Sequence, residues 1–249
     1  MSNLSNNFIA GDWIAGSGSI SNINPSDTHD VIGEYAQASK SQLEDALNSA
    51  KIAQKQWSAT GLEQRQAVLM KIGEEIMARS AELGELLSRE EGKPLAEGKG
   101  EVYRAGQFFT YYAAEVLRQS GDTADSVRPG IEVNVRREPM GTVAIISPWN
   151  FPTATASWKI APALAFGNAV IWKPANLTPA SAVALTEIIS KQDIPKGLFN
   201  LVMGSGSSIG QALVESPMVH AISFTGSYDV GLQIASAAAK NLTKFQLEL

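Results

Sequence analysis

Cysteine is absent from all 249 residues, which excludes disulfides, thiolate metal sites and a cysteine nucleophile within this chain. Histidine is nearly absent too. His29 and His220 are the only two and lie far apart, so neither a Ser-His-Asp triad nor a histidine-rich metal site is expected, and both read as ordinary structural or surface residues. No apolar run approaches the roughly 18 residues needed to cross a bilayer, and residues 1–7 lack the charged and apolar regions of a secretory leader, so the expected compartment is the cytoplasm, without a membrane partner. Nor does any run of lysine or arginine offer to follow a phosphate backbone. The 25 acidic and 20 basic residues are interspersed and leave a net charge of −5, so nucleic acid is not an expected partner. What is present is apolar side chain, 44% of residues, enough for a sizeable core in one large domain or two modest ones.

Residues 8–14, a Gly/Ser break at 16–19, residues 23–25 and the alternating 31–35 read as short strands and turns, a peripheral antiparallel element. The period then changes. Ser41 and Glu44 have the spacing of a capping box, followed by Leu43, Ala46, Leu47, Ala50, Gln54 and Trp57 three or four apart. Further helices are predicted over 62–79, 81–89 and 96–118, the last with Val102, Phe109, Ala113 and Val116 as its apolar stripe. Residues 131–137 alternate, Glu138 to Gly141 read as a turn, and 142–147 are apolar, which predicts two strands in a hairpin-like arrangement. From Val143 onward, strands at 143–146, 169–172, 198–202, 221–224 and 244–249 alternate with helices around 155–166, 179–191, 208–215 and 230–240. Continuous apolar strands between helices require a parallel sheet covered on both faces. The fold class is therefore α/β, a Rossmann-like parallel sheet flanked by helices.

In such a sheet ligands collect at the carboxyl ends of the strands, and four segments there look specialised. Asn150, between Pro148 and Pro152, can present an N–H donor to a developing oxyanion, or can act as a turn residue bonding its own backbone, while Trp149, Trp158 and Trp172 are core residues by default. Lys173, followed by Pro174, Ala175 and Asn176, can bind ribose hydroxyls or a phosphate near the helix opened by Pro179, or can simply reach solvent. The turn with Gly204, Gly206 and Gly210 resembles a dinucleotide glycine fingerprint with one residue too many, and it follows a late strand. Gly226 and Ser227, after Phe224 and Thr225 and ahead of Gly231, can cradle a pyrophosphate or form a plain strand–helix turn.

In order and spacing, the segment from Pro148 to Pro152, Trp158 with Lys159, Lys173 with Pro174 and Ala175, the segment from Phe224 to Ser227, and Leu247, Glu248 and Leu249 resemble the successive motifs in the N-terminal half of the aldehyde dehydrogenase superfamily. The similarity runs through nearly the whole chain, including residues 23–25 and the turn at 137–141. It implies oxidation of a small-molecule aldehyde to a carboxylic acid through a thioester, with NAD or NADP as coenzyme. By this resemblance Asn150 is the oxyanion-hole side chain, Glu248 the base that activates water for deacylation, buried beside an apolar cleft that raises its pKa, and Lys159 a proton relay. Glu248 further implies the hydrolytic, acid-forming branch.

Lys173, with Pro174, Ala175 and Asn176, is placed at the adenosine ribose. Pro148 and Trp149 line the coenzyme cleft, Gly206 and Gly210 pass the adenine, and Phe224, Thr225, Gly226, Ser227 and Gly231 form the pyrophosphate turn. Asn176 stands where many NAD+-specific members carry a glutamate, which removes a charge that would repel a 2′-phosphate and admits NADP+. The resemblance also implies a coenzyme-binding domain at 1–130 and 147–249, with 131–146 as projecting strands that join homo-dimers or tetramers. The nucleophilic cysteine is expected beyond Leu249 in a second domain, leaving this chain able to bind coenzyme but not to oxidise aldehydes. Residues 24–28, 30–33 and 104–106 look closest to semialdehyde dehydrogenases of the α-ketoglutaric type. The alternative is a truncated, non-catalytic nucleotide-binding or interaction protein derived from the family. An unrelated Rossmann-like reductase would need an early glycine fingerprint with an acid about twenty residues on, a pair the first strands lack.

Overall fold

The computed structural model describes residues 4–249, so Met1, Ser2 and Asn3, part of the segment read for a leader, lie outside the described residues. The chain opens with β1 (Leu4–Ser5), β2 (Asn7–Ile9), β3 (Asp12–Ile14), β4 (Gly18–Ile23) and β5 (Val31–Gln37). β1, β5 and β4 make a separate three-stranded sheet, with the expected antiparallel pairing between β4 and β5. The β2–β3 hairpin instead joins the main sheet, because Phe8 and Ile9 are buried and cannot sit on a peripheral ribbon. Its turn, Ala10 and Gly11, has φ of 55° and 89°, the left-handed pair whose twist suits a two-residue hairpin. Ala10 N donates to Asn200 Oδ1 at 2.9 Å and fastens the turn to a residue 190 positions further along the chain.

A helical layer follows: α1 (Lys40–Ser58), α2 (Leu62–Ala78), α3 (Ser80–Glu91) and α4 (Leu95–Glu115). The capping box that starts α1 is Ser39 with Gln42, not Ser41 with Glu44. Both pairs have the right letters. Ser39 prevails because Ala38 N is held extended by Met203 O at 2.8 Å, so the next residue caps the helix, which begins at Lys40. α2 and α4 touch at Gly73 and Gly106, where a Cβ on either would come within 2.7 Å of the other's carbonyl oxygen.

The hairpin expected from 131–137 and 142–147 is corrected. β6 (Asp122–Asp125) and β7 (Glu132–Val135) pair antiparallel as an isolated ribbon, while β8 (Thr142–Ile146) lies in the middle of the main sheet. The reason is burial. Residues 142–145 are buried without alternation, which suits a strand covered on both faces, whereas every residue of β7 is exposed. The isolated two-stranded ribbon therefore spans 122–135.

The main sheet is completed by α5 (Ala154–Ala165), β9 (Ala169–Lys173), α6 (Pro179–Ser190), β10 (Phe199–Leu201), α7 (Gln211–Glu215), β11 (Ala221–Thr225), α8 (Tyr228–Asn241) and β12 (Lys244–Glu248). Its order is β12-β11-β8-β9-β10-β2-β3, with the first five parallel. The chain winds from β8 to β10 in one direction and returns to β11 and β12 on the other side, so the winding reverses between β8 and β11. Trp172, Phe199, Ile145 and Ile160 fill the core beneath the helices, with Trp57 Nε1 donating to Leu164 O at 2.7 Å. Trp149 and Trp158 depart from the default expectation of core packing. Each is half exposed, Trp158 stacked on Phe108 with ring centroids 5.6 Å apart.

Candidate functional site

Because β8, β11 and β12 are neighbours, their carboxyl ends bring the 147–150 loop, the Thr225–Ser227 turn and Glu248 to one edge. Glu248 Oε2 accepts from Thr225 Oγ1 at 2.9 Å, and Gly226 N donates to Glu248 O at 3.1 Å. Lys159 reaches the same place from α5, its Nζ donating to Ser223 Oγ at 3.1 Å and Gln246 Oε1 at 3.2 Å and lying 3.9 Å from Glu248 Oε2. Burial pulls the Lys159 pKa below the ordinary lysine value, while the charge of Glu248 acts in the opposite direction. The buried setting expected for Glu248 is not found: its side chain is 48% exposed, because β12 is the outermost strand and has one open flank.

Asn150 is exposed, and its side chain makes no hydrogen bond to another described residue, so it does not act as a turn residue closing on its own backbone. Its carbonyl is held instead. Lys93 Nζ donates to Asn150 O at 2.8 Å and to Glu101 Oε2 at 2.7 Å, sits 2.9 Å from Glu91 Oε2, and lies 4.2 Å from the centre of the Phe151 ring. Glu101 Oε1 accepts from Thr153 N at 3.0 Å and Ala154 N at 3.1 Å, capping α5 from another helix. A buried ion pair on α4 and its leading turn thus fixes the backbone of the Asn150 loop.

Between residues 206–215 and α8 lies a cleft of about 740 Å³ lined by Lys173, Gly206, Gly210, Val214, Val230 and Ile234 among others. Lys173 is 6% exposed. Its Nζ donates to Pro174 O at 2.8 Å, and burial brings its pKa down to about 8. Gly210 leaves room beside it, since a Cβ there would sit 3.5 Å from Lys173 Cδ. α8 starts at Ser227 with no side-chain cap, so the N–H groups of its first turn remain open.

Of the residues singled out in the sequence, Lys173, Gly206 and Gly210 meet in this cleft, while Asn150, Lys159, Thr225 and Glu248 gather at the strand ends. Others sit apart. Pro174 is buried, Ala175 and Asn176 are half-buried, and Asn176 Nδ2 donates to Gln37 Oε1 at 3.4 Å. Phe224 lies under Gly226, and Gly231 lets α8 approach Leu249, whose Cδ2 would be 2.4 Å from an added Cβ. Pro148 is half-buried and Trp149 half-exposed, both on the 147–150 loop outside the cleft wall. Sequence reasoning missed Val214 on α7, and Val230, Gln233, Ile234, Ala237 and Lys240 on α8, whose only signal is the amphipathic face of that helix. It also missed Lys93 and Glu101.

Glu90, at the end of α3, fixes the neighbouring strand–helix connection. Its carboxylate accepts from Ala180 N, from Ser181 N at 2.9 Å and from Ser181 Oγ at 2.6 Å, capping α6. Burial pushes its pKa from 4.5 up to about 7 against the pull of these donors. A raised carboxyl pKa stabilises the folded protein fully below the unfolded value, and that contribution is lost as pH rises through the folded value. The difference in unfolding free energy between wild type and Glu90→Gln is therefore expected to fall by on the order of 1–3 kcal/mol from pH 4.5 to 7.5. Urea titrations at a series of pH values measure it, and a constant difference contradicts the assignment.

The reversal of strand order beside a ligand-sized cleft places the chain among the doubly wound α/β proteins. The sequence profile of the aldehyde dehydrogenase family matches residues 13–249, and the chain belongs to that family. It is 39% identical over 246 residues to the alpha-ketoglutaric semialdehyde dehydrogenase of Bacillus subtilis, covering 98% of this chain and 50% of that one. It is 36% identical over 243 residues to the succinate-semialdehyde dehydrogenase [NADP(+)] of Escherichia coli, covering 97% and 50%. The crystal structure of betaine aldehyde dehydrogenase from Staphylococcus aureus in complex with NAD+ superposes with a TM-score of 0.95 at 32% identity, covering 98% of this chain and 49% of that one. The chain spans about half the length of the curated relatives it matches.

Proposed function

We propose that this chain supplies the coenzyme-binding half of an enzyme that oxidises an aldehyde to a carboxylic acid with NAD+ or NADP+. The cleft over Lys173 carries the reading: a buried ammonium with one carbonyl partner faces a space large enough for a nucleotide. Lys173 holds the adenosine ribose and its phosphate, with the loop of Pro174, Ala175 and Asn176 beside it. Gly206 and Gly210 leave room for the adenine. The open N–H groups at Ser227 receive the pyrophosphate, in a turn shaped by Phe224, Thr225, Gly226 and Gly231, and Pro148 with Trp149 borders the nicotinamide end. The nicotinamide, when bound, accepts the hydride. The names of the Escherichia coli and Staphylococcus aureus relatives support both coenzymes.

The nucleophilic thiol comes from outside these 249 residues. Asn150 donates its amide N–H to the oxyanion formed by thiolate attack. Glu248 takes a proton from the water that hydrolyses the thioester, and Lys159, positioned by Ser223 and Gln246 with its Nζ 3.9 Å from Glu248 Oε2, is the proton relay beside it. The Bacillus subtilis relative favours a semialdehyde substrate. Residues outside 122–135 form the coenzyme-binding body, and the β6–β7 ribbon, which exposes Val133 and Val135, joins copies of the chain into a dimer or tetramer. No helix among the described residues is long and apolar enough to cross a membrane, in keeping with a cytoplasmic enzyme.

Coenzyme titrations test the reading. Asn176 is a neutral amide paired with Gln37, so no carboxylate stands there to repel a 2′-phosphate, and NADP+ is expected to bind at least as well as NAD+. The phosphate brings about −1.5 to −2 charges, so Lys173→Met is expected to weaken NADP+ about tenfold or more, and NAD+ less, at matched ionic strength. Equal affinities in wild type and variant would remove the coenzyme from this cleft.

A further inference from the structure

A second cavity, of about 470 Å³, lies between the end of α1, the start of α2 and the stem of the β6–β7 ribbon. Its wall includes Pro139, just ahead of β8, and Arg65, which bonds to Ala165 just ahead of β9. It therefore opens at the amino ends of the central strands, opposite the coenzyme cleft. Three guanidinium groups line it, from Arg65, Arg136 and Arg137, against one carboxylate, Glu138.

Arg65 is 6% exposed. It donates through Nη1 to Ala165 O at 3.0 Å and through Nη2 to Thr60 O at 3.4 Å. Its Nε is buried with no partner among the described residues. No carboxylate among the described residues pairs with it, and burial lowers its pKa from the ordinary arginine value. A cation so placed carries a desolvation penalty that an anion in the adjoining space would offset. Arg136 and Arg137 are exposed and form no ion pair among the described residues. Their planar forks suit the paired oxygens of phosphate or carboxylate, and the volume falls within the range of small-molecule sites.

We propose that this cavity binds a small multivalent oxyanion, one bearing phosphate or carboxylate groups, at a site separate from the coenzyme cleft. Calorimetric titration of the protein with inorganic phosphate, and separately with succinate, at an ionic strength fixed with sodium chloride, tests it and distinguishes the two sources. Saturable binding of one or both is expected, weakened about fivefold or more by the Arg136→Gln/Arg137→Gln pair and changed less than about twofold by Lys173→Met. Arg65→Lys, which keeps the charge but loses the fork, is expected to weaken binding as well. The exposed pair keeps the test open should the buried variant misfold. Absence of saturation with both anions overturns the site, and so does binding that Lys173→Met abolishes while the arginine pair leaves it intact, which would assign the anion to the coenzyme cleft.

Discussion

Asn150→Ala in the complete enzyme is expected to lower kcat about a hundredfold or more, the usual scale for one oxyanion donor, with coenzyme affinity changed less than about twofold. The asymmetry comes from how the residue is held. Its side chain bonds to no other described residue, whereas its backbone is gripped by Lys93 at 2.8 Å and its loop by Glu101. Truncation at Cβ therefore removes a donor and leaves the scaffold in place, and the cleft around Lys173 does not include this residue. Steady-state kinetics together with coenzyme titration separate the outcomes. A collapse of coenzyme binding would make Asn150 structural, and an undiminished kcat would put the oxyanion donor elsewhere.

Glu101→Ala is expected to destabilise the protein by about 3–5 kcal/mol, the range for breaking a buried ion pair by removing one partner. The Glu101 side chain is 1% exposed and that of Lys93 9%, so solvent screens the pair little. The substitution also strands the N–H groups of Thr153 and Ala154 at the start of α5. Glu101→Gln, which keeps an acceptor oxygen but not the charge, should fall between. Since folded domains are stable by only about 5–15 kcal/mol, urea unfolding resolves both. A cost below about 1 kcal/mol for Glu101→Ala would show that the loop is held by something other than this pair.

The parallel strands were readable because each is a short apolar run set between helical periods, and β8, β9 and β11 lie where that pattern places them. Pairing was less readable. Residues 122–125 are Asp, Thr, Ala and Asp, with no apolar alternation to mark them as the partner of β7, so the pattern of 131–137 pointed to the wrong neighbour. The clustering of Lys173 with Gly206 and Gly210 was implied by the family resemblance, while strand ends and glycine turns alone left it open. The exposure of Glu248 did not, because whether a strand is outermost depends on the order of the sheet rather than on its own letters. Lys93 and Glu101 were invisible for a related reason: a charged residue on a helix or in the turn ahead of it reads as solvated until another helix N-terminus is seen to cover it.

The bond from Ala10 to Asn200 spans 190 residues, and β2 pairs with β10 across a similar distance. Contacts between positions so far apart in the chain are slow to form, since closing so long a loop costs entropy before any pairing rewards it. During synthesis, β2 must wait for a partner made about 190 residues later. Until then Phe8 and Ile9, buried in the folded protein, stay exposed to other chains, so this interval is one at which the protein is open to aggregation.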